Sequence, residues 1–222
     1  MKNLQTLRAY AEISKIKAWA ASNPVKLEAK KSAGKNELYL FGPIVDASTA
    51  EFFGLDSLID DLSVAKALAG FEAGAELQVL INSPGGDAWT GISIYNLIKA
   101  QGNAHVRITG IAASAASIVA MAGKSLTMDV GSTLMIHKAW TVAIGNEREL
   151  GESANRLRTL DQNLVDIYHD RTGIDRGEIM SMLDPDTYMS ASQAEDLGFA
   201  DTKGAKREPV GRIEKALIRR WV

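Results

Sequence analysis

The sequence predicts an α/β fold with a mostly parallel core sheet built from repeated ββα and βαβ units. A short apolar run at 77–81 is bounded by turn signals, which is typical of a buried parallel strand. A glycine-rich turn, a helix, a second strand and a small-residue helix then follow up to residue 123. Because the C-terminal ends of parallel strands share one edge of a sheet, we expect a functional site at that edge.

Size and composition place the chain among ordinary globular proteins. It has 222 residues, of which 46% are hydrophobic, enough for one domain with a sizeable core. The formal charge of −2 argues against a general affinity for nucleic acid. The absence of cysteine excludes disulfides and a thiol nucleophile. The N-terminus lacks the apolar core of a signal peptide, and the longest mostly apolar run is too short for a membrane span. We therefore expect a cytoplasmic protein without a membrane partner.

The first third of the chain is predicted to hold an N-terminal arm and the first elements of the domain. Residues 1–36 form the arm, expected to be partly flexible, with a charged, glycine-interrupted linker at 26–35. Residues 37–41, which end at a Gly-Pro turn, predict the first strand. Apolar positions at helical spacing predict a helix over 48–69. The strand at 77–81 follows.

The remaining elements follow from the same rules of periodicity and capping. They are a helix at 87–101, strands at 105–109, 125–128 and 133–137, and helices at 147–172, 176–183 and 190–197. The segment 139–146 contains three β-branched residues, and its secondary structure stays open on sequence alone. The domain is predicted to span 37–202, and 203–222 is a basic tail with a helical pattern.

Three neighbouring motifs supply the parts of a serine hydrolase. The run 109–123 is rich in small residues and contains Ser114 and Ser117. A glycine-rich turn at 82–86 precedes it, and His137 ends a later strand. A serine at a strand-to-helix turn, backbone donors and one imidazole suit acyl transfer. Taken alone, the same spacing is also typical of a close-packed core helix whose serines bond to the preceding turn.

Four motifs in order decide between these interpretations. INSPGG at 81–86, GIAASAAS at 110–117, MIH at 135–137 and DTYMSASQAEDLGFAD at 186–201 resemble the proteolytic subunit of the Clp protease. The resemblance covers roughly 37–201. It implies the ClpP/crotonase-like fold, with a protruding strand-helix handle and flanking helices. It also implies a serine-type endopeptidase.

The resemblance implies a catalytic triad of Ser114, His137 and Asp186. Independently of it, His137 ends an apolar strand that would reach the same sheet edge as Ser114, whereas His105 opens a strand and His169 lies in a polar helix. For the carboxylate that orients the imidazole, Asp184 and Asp129 are further candidates, and the family register favours Asp186.

The backbone N–H groups of Gly86 and Ala115 are the predicted oxyanion hole, with Gly85 permitting the bend. No cofactor and no metal are expected, because no His, Asp or Glu cluster has metal-ligand spacing.

Three alternatives stay open on sequence alone. The crotonase group of acyl-CoA enzymes also binds an oxyanion with glycine-turn amides, but would not need Ser114. A catalytically inactive scaffold or shell protein would keep only the assembly. A Ser-Lys peptidase would use Lys124 or Lys138 as its base.

The arm before residue 37 and the segment before INSPGG depart from the housekeeping Clp subunit. These departures resemble Clp-like proteases of phages and prophages that act in head maturation. The resemblance therefore implies polypeptide substrates such as phage scaffold or coat proteins, and a homo-oligomeric ring, as a heptamer or double ring. It leaves partnership with an ATPase unfoldase open. The alternative is a housekeeping degradative subunit that works with such an unfoldase.

Overall fold

The fold is organised around one β-sheet. The structure, a computed structural model, describes residues 25–32, 34–46 and 58–201, together with a few positions between 14 and 23. Within these ranges the sheet has seven strands. They are β1 (Lys26–Ser32), β2 (Lys35–Phe41), β3 (Glu76–Ser83), β4 (Ala104–Ala113), β5 (Ser125–Met128), β6 (Thr133–Ile136) and β7 (Thr187–Ser190).

The centre of the sheet is parallel and its two edges are antiparallel. The strand order is β1-β2-β3-β4-β6-β7, and β5 also pairs with β4. β2, β3 and β4 run parallel to one another, and β4 runs parallel to both β5 and β6. β1 and β7 are the antiparallel edge strands. The predicted α/β fold with a mostly parallel sheet is confirmed.

Six helices are described around this sheet. They are α1 (Asp61–Ala69), α2 (Ala88–Lys99), α3 (Ala115–Ala120), α4 (Glu147–Thr172), α5 (Arg176–Leu183) and α6 (Ala191–Asp196). The predicted helices at 87–101, 147–172 and 176–183 are confirmed, and Ser190 caps the last helix through a capping box. None of the helices in the described ranges is both long and apolar enough to cross a membrane.

The core lies between the sheet and the helices packed on it. Alternate side chains of β2, β3 and β4 are fully buried, as the period of two requires. Ile81 and Ile108 of the sheet share this core with Ile94 and Ile98 of α2, and all four are 0% exposed. Each such side chain contributes about 1.5–3 kcal/mol through burial. This packing fixes the ends of β3 and β4, where the glycine-rich turn and Ser114 follow.

Two predictions in the first third of the chain are wrong. The predicted linker at 26–35 is instead β1 and the turn to β2, so the sheet begins at Lys26. Gly34 has a φ of 73° and closes this hairpin. The predicted helix over 48–69 does not include Ile59, which bridges to Ile44, and α1 begins only after its N-cap Asp60. Residues 48–57 of that prediction lie outside the described residues.

The later corrections concern strands. β4 extends to Ala113, four residues beyond the predicted end at 109. β7 was not predicted, since four residues with two exposed side chains give too short a pattern. Residues 139–146 form no strand within the described chain, so the strand of the predicted handle is absent there. The predicted basic tail at 203–222 lies outside the described residues.

A buried charge network fastens the end of α4 to the sheet. The Arg171 side chain is 7% exposed, and it donates to the carbonyl oxygens of Phe199 and Gly123, each at 3.0 Å. It also donates to the Asp201 carboxylate at 2.7 Å. That carboxylate accepts from the Leu126 N–H of β5. One arginine therefore joins α4, the loop before β5 and the end of the domain.

Replacing this arginine should destabilise the fold strongly. We expect Arg171→Met to lower the free energy of unfolding by about 3 kcal/mol, because it removes a buried cation that contacts the Asp201 carboxylate and donates to two carbonyl oxygens. Denaturant unfolding measures this change. The matched control is Arg176→Met, which removes an ion pair with Asp166. The side chains of this pair are 55% and 60% exposed. That control should cost less than about 1 kcal/mol. Equal losses of unfolding free energy in both variants would contradict the stabilising role given to Arg171.

Candidate active site

The site begins with a bulge where β3 and β4 separate. Ile81 pairs with Ile108, but Ser83 pairs with Ala112, so β4 carries extra residues between the two pairs. The Asn82 side chain enters this bulge and its Oδ1 accepts from the N–H of Ile111 at 3.1 Å. A Cβ on Gly110 would lie 2.5 Å from the same oxygen, so a larger residue there would have to displace the Asn82 side chain. The bulge directs the end of β4 away from β5 and onto β6.

Ser114 occupies a strained turn between β4 and α3. Its φ of 54° and ψ of −124° lie in a region that side-chain-bearing residues rarely adopt. Among the described residues it is the one non-glycine residue with positive φ. Such strain persists only where the surroundings enforce it, and it is frequent at functional sites. Ser114 is only partly buried, unlike the residues on either side of it.

β6 brings His137 to this serine. The N–H of Ser114 donates to the carbonyl oxygen of Met135 at 2.9 Å, which continues the pairing of β4 with β6. Two residues further along, His137 Nε2 lies 2.7 Å from Ser114 Oγ. The His137 side chain is 14% exposed. This is the hydrogen-bond distance that a general base needs to take the hydroxyl proton.

Asp186 lies behind the imidazole but does not hold it closely. Its Oδ1 is 3.7 Å from His137 Nδ1, an ion-pair distance rather than a hydrogen bond. The Asp186 side chain is 49% exposed. Its backbone directly precedes Thr187, which pairs with Ile136 of β6. The antiparallel β6–β7 pair therefore brings the aspartate and the histidine to one end of the two strands. Such contacts are often loose without substrate.

The other candidate carboxylates are engaged elsewhere. Asp184 accepts from Lys138 Nζ at 2.5 Å, on the exposed side of the loop. Asp129 pairs with Arg107, with two hydrogen bonds of 2.8 and 3.0 Å. Asp186 is therefore the best placed of the three predicted candidates.

The other two histidines also have separate partners. His105 Nδ1 lies 2.7 Å from Ser125 Oγ, at the start of β4, which is the opposite end of the strand from Ser114. His169 Nδ1 lies 2.6 Å from the carbonyl oxygen of Ile174, beyond the end of α4.

Neither lysine of the Ser-Lys alternative suits a base. A lysine base needs a lowered pKa, but the hydrogen bond that Lys138 donates to Asp184 raises the pKa of Lys138. Lys124 directly precedes β5, and its backbone N–H donates to the carbonyl oxygen of Ala104 at the start of β4, the opposite end of that strand from Ser114.

The Pro-Gly-Gly turn lies directly against the serine. Gly85 and Gly86 have φ values of 85° and 147°, both suited to glycine. The turn is fixed from two sides: Gly85 N–H donates to Ser83 Oγ at 3.1 Å, and Gly85 O accepts from the N–H of Ile44 at 2.9 Å. A Cβ on Gly85 would lie 2.8 Å from Ser114 Cβ and 2.9 Å from Ala115 N. Gly85 is thus held beside the nucleophile turn.

Two backbone N–H groups of the glycine turn and the start of α3 have no acceptor among the described residues. Gly86 N–H and Ala115 N–H donate to no other described residue, whereas the Gly85 N–H is taken by Ser83. Ala115 opens α3, where the first amide of a helix has no internal acceptor. The arrangement can therefore offer two N–H groups to an anionic oxygen beside Ser114.

The model of the Clp protease family matches residues 59–206. That is about two thirds of the chain, and it includes the glycine turn, Ser114, Ala115, His137 and Asp186. The chain belongs to the Clp protease family.

Curated proteins of this family are similar to part of the chain. An ATP-dependent Clp protease proteolytic subunit of Deinococcus radiodurans is 32% identical over 129 residues, which is 57% of this chain and 63% of that protein. One of Bacteroides fragilis is 29% identical over 137 residues, or 60% of this chain and 66% of that protein. One of Pleurastrum terricola is 29% identical over 154 residues, or 66% of this chain. The match thus spans slightly less than two thirds of the first two relatives' length.

Within this Clp-family site, sequence reasoning missed three supporting residues. Asn82 and Ser83 belong to the INSPGG motif, and their polar character at the end of a buried strand was the signal that could have identified them. Ser83 is 0% exposed and its hydroxyl fixes the glycine turn. Tyr168 contacts Ser117 from α4, and no local pattern indicates a contact between residues so far apart.

The glycine turn gives the Clp-family site a sharp test. We expect Gly85→Ala to lower peptide hydrolysis by about 10²-fold, because the added methyl would lie 2.3 Å from the Ala113 carbonyl oxygen and displace the Ala115 N–H. The matched control is Gly131→Ala. Gly131 has a similar φ of 83°, but a Cβ there meets nothing within 4 Å. Initial rates at equal folded fractions measure the difference. Equal rates for both variants would contradict the role given to the turn.

Proposed function

We propose that this chain is a serine endopeptidase of the Clp type, with Ser114, His137 and Asp186 as its triad. The observation that carries the proposal is the 2.7 Å contact between His137 Nε2 and Ser114 Oγ at a strained turn. The leftover N–H groups of Gly86 and Ala115 support it. Glycine-turn donors alone would also suit an acyl-CoA enzyme, and the Ser114–His137 contact favours the peptidase.

The proposed reaction proceeds by acyl transfer. His137 takes the hydroxyl proton as Ser114 Oγ attacks the scissile carbonyl carbon, and the resulting oxyanion accepts from Gly86 and Ala115. His137 then gives its proton to the leaving amine as the C–N bond breaks, which leaves an acyl-enzyme. Water, deprotonated by His137, attacks the ester, and the proton returns to Ser114 as the acid product leaves. No nucleotide enters these steps.

Asp186 has the proposed role of orienting the imidazole. A carboxylate at Nδ1 favours the tautomer with its proton on that nitrogen, which leaves Nε2 free to accept from Ser114. The charge also stabilises the imidazolium that forms during the reaction. We propose that the 3.7 Å separation closes to a hydrogen bond when substrate is bound.

We also propose that the chain assembles into a homo-oligomeric ring. Support comes from exposed apolar side chains before and at the start of α4, namely Trp140 at 40%, Val142 at 49%, Ile144 at 95% and Leu150 at 44% exposure. Their exposure is costly for a monomer, and burial between copies would remove it. Light scattering measures the mass directly. A fully active, stable monomer would contradict the assembly.

The natural substrate is proposed to be a phage assembly protein, such as a scaffold or a cleavable coat-protein extension. The support is the sequence before residue 59, which lies outside the family match and departs from the housekeeping subunit's N-terminal region. Without an unfoldase, only loosely folded or disordered segments could reach Ser114, and such segments are common in scaffolds and extensions.

The deciding experiment supplies the purified protein with a flexible scaffold-type substrate and no nucleotide. Cleavage that is lost in Ser114→Ala would support the proposal. Degradation that occurs only once a Clp ATPase and ATP are added would instead assign the chain to the housekeeping role.

A further inference from the structure

A buried chain of hydroxyl groups connects the long helix α4 to the nucleophile turn. Ser117 is 0% exposed, and its Oγ donates to the carbonyl oxygen of Ser114 at 2.6 Å. The same Oγ lies 2.8 Å from the hydroxyl of Tyr168, which is 1% exposed. Because the single Ser117 hydroxyl proton is used on Ser114, the Tyr168 hydroxyl must be the donor in the second bond. Burial raises the pKa of Tyr168, so this proton stays in place.

The anchored carbonyl belongs to the peptide unit that also carries the Ala115 N–H. A peptide unit is planar and trans, so its C=O and N–H point in opposite directions. Holding the Ser114 carbonyl toward Ser117 therefore directs the Ala115 N–H to the other side of the peptide unit. Gly85 is close to this nitrogen: a Cβ added to Gly85 would lie 2.9 Å from Ala115 N. The unusual φ and ψ of Ser114 make this orientation costly without such support.

We propose that Ser117 and Tyr168 are positioning residues that orient the Ala115 N–H as an oxyanion donor. The inference rests on the proposed peptidase function. Two hydroxyl groups in series also polarise the peptide unit and strengthen the N–H as a donor. The long helix α4 is thereby part of the active-site support, through Tyr168, and does not only pack on the sheet.

Tyr168→Phe is the direct test, because it removes one hydroxyl and keeps the ring. The ring packs edge-on against Phe199, with centroids 5.8 Å apart, so the fold should be retained. Ser117→Ala removes the other member of the chain. The matched control is Ser132→Ala, which deletes a hydroxyl that is also buried, at 3% exposure, but has no hydrogen-bond partner among the described residues.

We expect the kcat for a peptide substrate to fall about tenfold in Tyr168→Phe and in Ser117→Ala, with KM unchanged. The double variant should be no slower than the slower single variant, since the two hydroxyls act in series. Ser132→Ala should keep the wild-type kcat. An unchanged kcat in Tyr168→Phe, or losses that multiply in the double variant, would overturn the inference.

Amide hydrogen exchange gives a second readout that does not depend on hydrolysis. The N–H groups of Ser117 and Ile118 both donate to the Ser114 carbonyl, at 2.9 and 3.4 Å, and report on its position. Their exchange should be faster in Tyr168→Phe than in wild type or Ser132→Ala, and unchanged exchange would overturn the inference. If wild type hydrolyses no peptide, the proposed function fails while exchange still decides the positioning claim. If wild type is active but Tyr168→Phe alters neither readout, only this inference fails.

Discussion

Ser114→Ala should abolish peptide hydrolysis while leaving the fold intact. The change deletes one hydroxyl from a half-buried turn, so the packing of β4 and α3 is preserved. It also removes the atom that would form the acyl-enzyme, and no other group at the turn can replace it. We expect the rate to fall by at least about 10³-fold, with residual activity from binding and the oxyanion donors alone. A continuous assay with a fluorogenic peptide measures the loss, and circular dichroism checks the fold.

The instructive control for this variant is Ser117→Ala, which removes the neighbouring hydroxyl. Ser117 is fully buried and bonded to Ser114 and Tyr168, so it cannot attack a substrate. Its loss should reduce the rate only moderately. If Ser117→Ala were inactive and Ser114→Ala active, the assignment of the nucleophile would be wrong.

His137→Ala should be nearly as damaging as loss of the serine. Its Nε2 is the base within reach of Ser114 Oγ, and the members of a triad act as a unit, so removing one forfeits most of the gain. We expect a fall of about 10³-fold or more in kcat and little change in KM. The matched control is His105→Ala, which removes an imidazole bonded to Ser125 at the far end of β4. Similar losses in the two variants would contradict the role of His137.

Variants of two neighbouring aspartates test which carboxylate is the third member of the triad. Asp186→Asn should lower the rate by about 10²-fold or more, because an amide can favour the wrong imidazole tautomer. Asp184→Asn removes only the partner of Lys138 and should leave the rate within about twofold. A larger loss of rate in Asp184→Asn than in Asp186→Asn would instead make Asp184 the carboxylate of the triad.

The parts of the fold that follow from local pattern could be predicted from sequence. Buried strands such as β3 and capped helices such as α4 have strong periodicity and clear ends, and both occur as expected. The lysines of β1 suggest exposure to solvent and so predict a linker, yet Lys26 and Lys30 lie over the ring of Tyr39 on the next strand. That stabilisation comes from pairing across a hairpin, which local composition does not reveal.

The site likewise combines residues that short sequence motifs predict with residues that only the tertiary structure identifies. Ser114 and His137 lie within short motifs whose spacing places them at one sheet edge, and the structure brings them into contact. The bulge filled by Asn82 and the contact of Tyr168 with Ser117 depend on strand register and helix packing. Such tertiary contacts join residues that are far apart in sequence, so the supporting residues required the structure.

Labelling with a fluorophosphonate probe, followed by mapping of the modified residue, shows whether Ser114 is a nucleophile activated by His137. The probe reacts with a serine hydroxyl only where a base and an oxyanion hole activate it. We expect a single modification on Ser114, lost in Ser114→Ala and strongly slowed in His137→Ala and Gly85→Ala, but retained in Gly131→Ala. Labelling of another serine, or equal labelling of wild type and His137→Ala, would contradict it.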